Sequence, residues 1–173
     1  ALPGCTTYIS ALKDGYVKEG ADELYRWLTE GYQLDITKLR RMPEDLPADD
    51  GILSVELYHP TAAEEIAHQG LYQKWHGHRE LQLVCAGKQW MNFTPINADK
   101  GIALSEYQNM HGISPQETMA FGDGENDIPM LRHAHVGVAM GNADALVRSH
   151  ADFVTGTVDE DGILSALEHF GLL

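Results

Sequence analysis

The second half of the chain predicts an α/β fold, a parallel sheet with helical crossovers, and the first half an α+β module. Two observations carry this reading. From residue 97 onward, short apolar runs halted by Gly or Asp alternate with segments at helical spacing. Residues 1–96 mix strand-like and helical runs without that pitch. In order, DELYRWLTEGYQLDIT (22–37) reads as a helix followed by a strand, and RRMPEDLPADDG (40–51), rich in Pro, Asp and Gly, as a surface loop. ILSVELYHPTAAEEIAHQGLYQKW (52–75) reads as strand then helix, and ELQLVCAGKQWMNFTP (80–95) as a hairpin with Ala86 and Gly87 near its turn. A boundary near Pro95–Ala98 divides 1–96 from 97–173. Beyond it, KGIALSEYQNMHG (100–112) carries Ile102, Leu104, Tyr107 and Met110 at helical spacing and stops on Gly112. TMAFGD (118–123) is a buried strand, 126–134 a helix and 136–140 a strand. A helix over 143–151, a strand over 152–156 and a closing helix over 161–171 complete the alternation. There is no internal repeat or low-complexity tract.

At 173 residues the chain suits one ordinary domain or two small ones, with a real buried core. Lys and Arg number 12 against 26 acidic residues, a formal net charge of -14, which disfavours nucleic acid as a partner. Cys5 and Cys85 are far apart and lie in no metal-ligand spacing, so free thiols in a reducing, cytoplasmic compartment are expected. No apolar run approaches the length of a membrane helix, so no membrane partner is expected. The start ALPGCTTYIS has neither a basic leader nor an initiator methionine, which reads as a chain beginning partway through a gene product.

The stretch MAFGDGENDIPML (119–131) crowds two aspartates, a glutamate and an asparagine onto the end of a buried strand. Carboxylates so placed repel one another unless something positive offsets them. Asp123 leaves the strand and Asp127 falls in the first turn of the next helix, where free N–H groups and the helix dipole favour anions. Two oxygen-bearing side chains aimed at one point suit Mg2+, which takes few carboxylates and is commonly completed by substrate phosphate. By itself the pattern fits a helix cap as well as a metal site. An EF-hand is excluded, since Ile128 stands where that loop needs glycine. Lys100, in NADKGIAL, opens a helix where its charge opposes the dipole, so a nearby anion would explain the choice. Its helix immediately precedes the Asp123 strand, within plausible reach of the same point.

NADKG, then GISPQETMAFGDGENDIPML, VGVAMGNADALVRSHADFVT and DEDGILSALE, in that order over 97–173, resemble the C-terminal part of a haloacid dehalogenase superfamily phosphatase. The likeness is to the Cof-type branch with a large α+β cap of the C2 kind, and residues 1–96 resemble that cap more loosely. The resemblance implies the C-terminal half of a parallel, Rossmann-like core and a Mg2+-dependent hydrolase of small sugar or cofactor phosphates. It implies that Lys100 neutralises the phosphorylated intermediate, that Asp123 is a metal ligand, and that Asp127 binds metal-bound water or steadies the lysine. Asn126 would lie near metal and phosphate, and Asn142 would be structural or line the site.

The family's nucleophile is an aspartate in a strand-end DxDxT, and none stands in residues 1–96. DEDGI (159–163) lacks the threonine and matches the family's closing turn, while Thr37 is a loose candidate for the phosphate-binding hydroxyl. The expectation is therefore a cap, itself incomplete, plus half a core: inactive alone, and self-associating or pairing with a missing N-terminal segment. The alternative is a noncatalytic interaction protein that kept the fold. A phosphoacceptor signalling domain is disfavoured, because there the acidic pair precedes the lysine in the chain. The pairs His76/His78 and His133/His135 lack zinc-site spacing and read as loop and surface residues. Trp27, Trp75 and Trp90 are expected to pack within the first module.

Overall fold

The computed structural model describes residues 2–47 and 49–173, which divide into two compact units, Ala1–Ile96 and Asn97–Leu173. Among the described residues no helix is long and apolar enough to cross a membrane.

The first unit is built on a six-stranded sheet. Two strands near the N-terminus, β1 (Thr6–Ala11) and β2 (Gly15–Val17), pair antiparallel. The helix α1 (Asp22–Arg26) runs into a π-helical turn at Trp27–Gly31. Strand β3 (Leu39–Arg41) lies parallel to β2, and β4 (Ile52–Tyr58) antiparallel to β1. Next come α2 (Ala63–Ile66) and α3 (Tyr72–Trp75), joined across a kink at Gly70, and then the antiparallel hairpin β5 (Leu81–Cys85) and β6 (Trp90–Pro95). The sheet order is β3-β2-β1-β4-β6-β5. Side chains alternate between its faces as strand geometry requires. Tyr8, Val17, Tyr58 and Trp90 form one cluster with Leu24 and Leu28, while Met91, Leu83 and Cys85 form another with Ala63 and Ala67.

Two sequence expectations for this unit need correction, and one segment has no assignment from the sequence. The N-terminal segment forms β1 and β2, which its mixed polar pattern does not announce. No strand occupies 33–37: Asp35 accepts bonds from the Thr37 N–H at 2.9 Å and the Thr37 hydroxyl at 2.7 Å, a local turn that outcompetes extended pairing. The strand starts only at Leu39, so Arg40 and Arg41 belong to the sheet rather than to a loop. At the other end of that loop Asp50 is buried, accepting from Tyr16 Oη at 2.7 Å and Lys13 N at 2.8 Å. Cys5 is a free thiol.

The second unit is a parallel α/β layer. It comprises α4 (Lys100–His111), β7 (Met119–Gly122), a 3-10 turn at Glu125–Asp127, α5 (Ile128–His133), β8 (Val136–Ala139), α6 (Ala145–Arg148), β9 (Phe153–Val154) and α7 (Gly162–His169). The strands run parallel in the order β7-β8-β9. Their core joins Ala120, Leu131, Ala139 and Val147.

Helix α4 ends on Gly112 in the left-handed conformation, φ 65°, as glycine permits. Its buried face is not the apolar series read from the sequence. Ile102, Tyr107 and Met110 are exposed, Met110 to 80%, whereas Gly101 and Gln108 are buried. A Cβ on Gly101 would lie 2.6 Å from the Pro129 carbonyl oxygen, so only glycine lets α4 sit this close to α5. Gln108 donates to Thr118 Oγ1 at 2.8 Å and lies 2.9 Å from His133 Nε2, which satisfies its amide without water.

Candidate active site

The acidic corner stands where β7 ends. Asp99 caps α4, its carboxylate accepting from Ile102 N at 2.8 Å, and Lys100 is the first helical residue. Lys100 Nζ donates to Asp127 Oδ1. The lysine side chain is half exposed and that of Asp127 only 8% exposed, so the aspartate end of the pair is held in a poorly hydrated place. Asp127 Oδ2 accepts from the backbone N–H groups of Asp123 at 3.0 Å and Gly124 at 3.1 Å. One carboxylate thus ties the loop after β7 to the start of α4. Gly122 makes room for it: a Cβ there would fall 2.4 Å from Asp127 Cβ.

Asp123 points elsewhere. Its Oδ2 accepts from Asn142 Nδ2 at 2.8 Å, and Asn142 lies just beyond the end of β8. Among the described residues nothing bonds Asp123 Oδ1. Asn126 sits in the 3-10 turn, its Oδ1 over Gly124. The arrangement lies at the carboxyl ends of two adjacent parallel strands, the place where such sheets hold ligands. It offers one available carboxylate oxygen, one half-exposed ammonium and one amide, a set able to hold a cation beside an anion.

Lys100, Asp123, Asp127 and Asn142 are therefore joined through bonds, and Asn126 stands among them. Thr37 is engaged by Asp35 in the other unit. Asp161, in DEDGI, takes a left-handed conformation leading into α7, and Glu160 accepts from Thr157 N at 2.9 Å in a capping box, so that stretch shapes a turn. His78 Nδ1 accepts from Leu81 N at 3.1 Å, another local turn bond. What the sequence reading passed over is the supporting cast: Asp99 as the cap, Gly101 as the gap that lets α4 close on Pro129, and Gly122 as the gap that admits Asp127. An Asp directly before a Lys-Gly helix start was the available signal for the first.

A family model described as haloacid dehalogenase-like hydrolase matches residues 5–167. The chain is 32% identical over 148 residues to a 5-amino-6-(5-phospho-D-ribitylamino)uracil phosphatase of Bacillus subtilis, covering 84% of this chain and 48% of that one. It is 43% identical over 77 residues to the phosphoglycolate phosphatase of Archaeoglobus fulgidus, covering 44% of this chain and 34% of that one. A solved sugar phosphatase of haloacid dehalogenase subclass IIB superposes with a TM-score of 0.79 at 26% identity, over 98% of this chain and 62% of that one. The chain thus spans about half, or less, of the curated relatives it matches, and under two thirds of the solved structure.

Proposed function

The chain belongs to the haloacid dehalogenase-like hydrolases, and from that premise we propose that it carries the metal- and lysine-bearing part of a phosphomonoester hydrolase for small phosphorylated metabolites. The observation that carries this reading is the Lys100–Asp127 pair beside Asp123 at the end of β7. The donor set fits Mg2+: Asp123 has an oxygen to give, and Asp127 is already committed to the lysine and the loop, so it acts by steadying Lys100 and through metal-bound water. When bound, Mg2+ neutralises charge on the phosphoryl oxygens. Lys100 places a second positive charge there, and Asn126 donates to the phosphate. In this reading residues 1–96 form the cap and 97–173 the C-terminal half of the core, working in the cytoplasm.

The named relatives act on a ribitylaminouracil phosphate, phosphoglycolate and sugar phosphates, which supports a small phosphate ester without choosing one. These 173 residues hold no Asp-x-Asp-x-Thr to supply the attacking aspartate of an aspartyl-phosphate mechanism. We therefore expect the chain alone to be inactive, and to self-associate or pair with a segment that brings the nucleophile. The same observation favours a second reading, a noncatalytic interaction protein. Calorimetric Mg2+ titration separates them. Asp123→Asn should weaken Mg2+ binding about tenfold or more while leaving the circular dichroism unchanged. Equal Mg2+ affinity in the two proteins would remove the metal site and leave the noncatalytic reading. Mg2+-dependent hydrolysis of p-nitrophenyl phosphate by the homogeneous chain would overturn the expected inactivity.

A further inference from the structure

The first unit contains a cavity of about 330 Å3, lined by apolar Leu28, Tyr32 and Trp90 and by polar Ser10, Glu56 and Asn92. Sheet register explains how residues so far apart in sequence meet. Tyr8 on β1 stands opposite Glu56 on β4, Glu56 stands opposite Asn92 on β6, and Trp90 is two residues from Asn92 on the same face.

Two atoms in this wall are unusual. Trp90 Nε1, a donor, and Asn92 Oδ1, an acceptor, are buried and have no hydrogen-bond partner among the described residues. Unpaired buried polar atoms are costly, and folded proteins keep few of them. Glu56 adds a third group. Its Oε1 accepts from Ser10 Oγ at 3.0 Å and Ser54 Oγ at 2.6 Å, which leaves Oε2 unbonded among the described residues. No lysine or arginine lines the cavity, so a phosphoryl group or other anion has nothing to bind there. Burial first, and then the Glu56 charge, push the Tyr8 phenol above its ordinary pKa, so it stays a neutral hydroxyl.

We propose that this cavity binds a planar, amino-substituted nitrogen heterocycle. Its amino hydrogens meet Glu56 Oε2 and Asn92 Oδ1, a ring nitrogen or carbonyl accepts from Trp90 Nε1, and its faces lie against the aromatic side chains. Water does not reach the two unpaired atoms as the wall stands, so the ring must displace part of it. Tyr32, 53% exposed and edge-on to Trp90 at 6.2 Å between ring centroids, is the side chain with freedom to yield. The binding reading stands apart from the phosphatase reading, because no residue at the end of β7 takes part.

The test follows the indole N–H signals of the 15N-labelled full chain by NMR while 2-aminopyrimidine or cytosine is added. The Trp90 signal, assigned by its loss in Trp90→Phe, should shift saturably while that of Trp75 stays. Benzoate and ribose should not move it. Glu56→Gln, which keeps the shape and removes the charge, should weaken cytosine binding about tenfold. Absence of a saturable Trp90 shift with either amine would overturn the proposal. So would an equal response to benzoate, or unchanged cytosine affinity in Glu56→Gln. Comparison of cytosine with cytidine monophosphate identifies the source of the ring: tighter binding of the nucleotide assigns it to a phosphorylated substrate, tighter binding of the base to a separate ligand.

Discussion

The corner at the end of β7 and the cavity in the first unit are both polar sites set in apolar surroundings, yet they are built by opposite means. Lys100, Asp123, Asp127 and Asn142 come from successive elements of one parallel layer, each at an element's start or just past its end. Tyr8, Glu56, Trp90 and Asn92 come from three strands joined only by register, three of them inside their strands and Trp90 at the first position of β6. The first kind is wired almost completely: every bond that fixes Asp127 is made within the chain. The second keeps a donor and an acceptor unpaired. A site with all its internal bonds made is rigid before a ligand arrives; one with open bonds is completed by the ligand.

Four measurements break or sharpen that contrast. The largest effects are expected in the two cores: Leu24→Ala and Leu131→Ala, each 1% exposed, should each cost about 2–5 kcal/mol in urea unfolding. A loss under about 1 kcal/mol at either one would mark that unit as loosely packed. Gly101→Ala should cost about 1–3 kcal/mol, because the carbonyl of Pro129 cannot move aside as a side chain would. It should also change Mg2+ affinity by carrying Lys100 away from Asp127, and stability loss without that change would detach the corner from the α4–α5 contact.

The third is a pH profile. The hydrogen bond to Asp50, before burial and that carboxylate's charge, pushes Tyr16 up to about 12 from its ordinary 10.0. A raised folded-state value favours the protonated phenol, so this stabilisation is complete below pH 10 and disappears between about 10 and 12. The same bond holds Asp50 below its ordinary 3.8, a contribution present above that value and lost as acid protonates the carboxylate. The melting-temperature advantage of the natural protein over Tyr16→Phe should be flat from pH 6 to 10 and shrink by 12. A constant advantage to pH 12 would show the bond is not made. The smallest change is expected from Lys13→Ala, which removes an exposed, solvent-screened pair with Asp49 and should leave the urea midpoint unchanged within error.

Much of the second unit was legible in the sequence for the reason that its site is: elements start and stop on residues with local chemistry. Gly112 ends α4, Asp144 caps α6 by accepting from Val147 N at 2.8 Å, and the acidic loop follows an apolar strand. The buried face of α4 was not legible, because a glycine and a glutamine do not register as core in a pattern of apolar spacing. In the first unit β1 and β2 were missed for a related reason. Thr6, Thr7 and Ser10 face neighbours whose identity is set by β4, far along the chain. Register is a tertiary fact, and the cavity with its unpaired atoms depends on nothing else.

Asp127 serves two masters with a single carboxylate, one oxygen on an ammonium and the other on two amides. Asparagine keeps at most one of the two duties, its oxygen on the amides or on the ammonium and its NH2 mismatched against the other, and glutamate displaces both. Single substitutions at 127 therefore confound charge with loop geometry, and apportioning the two takes paired changes with Lys100 in a double-mutant cycle.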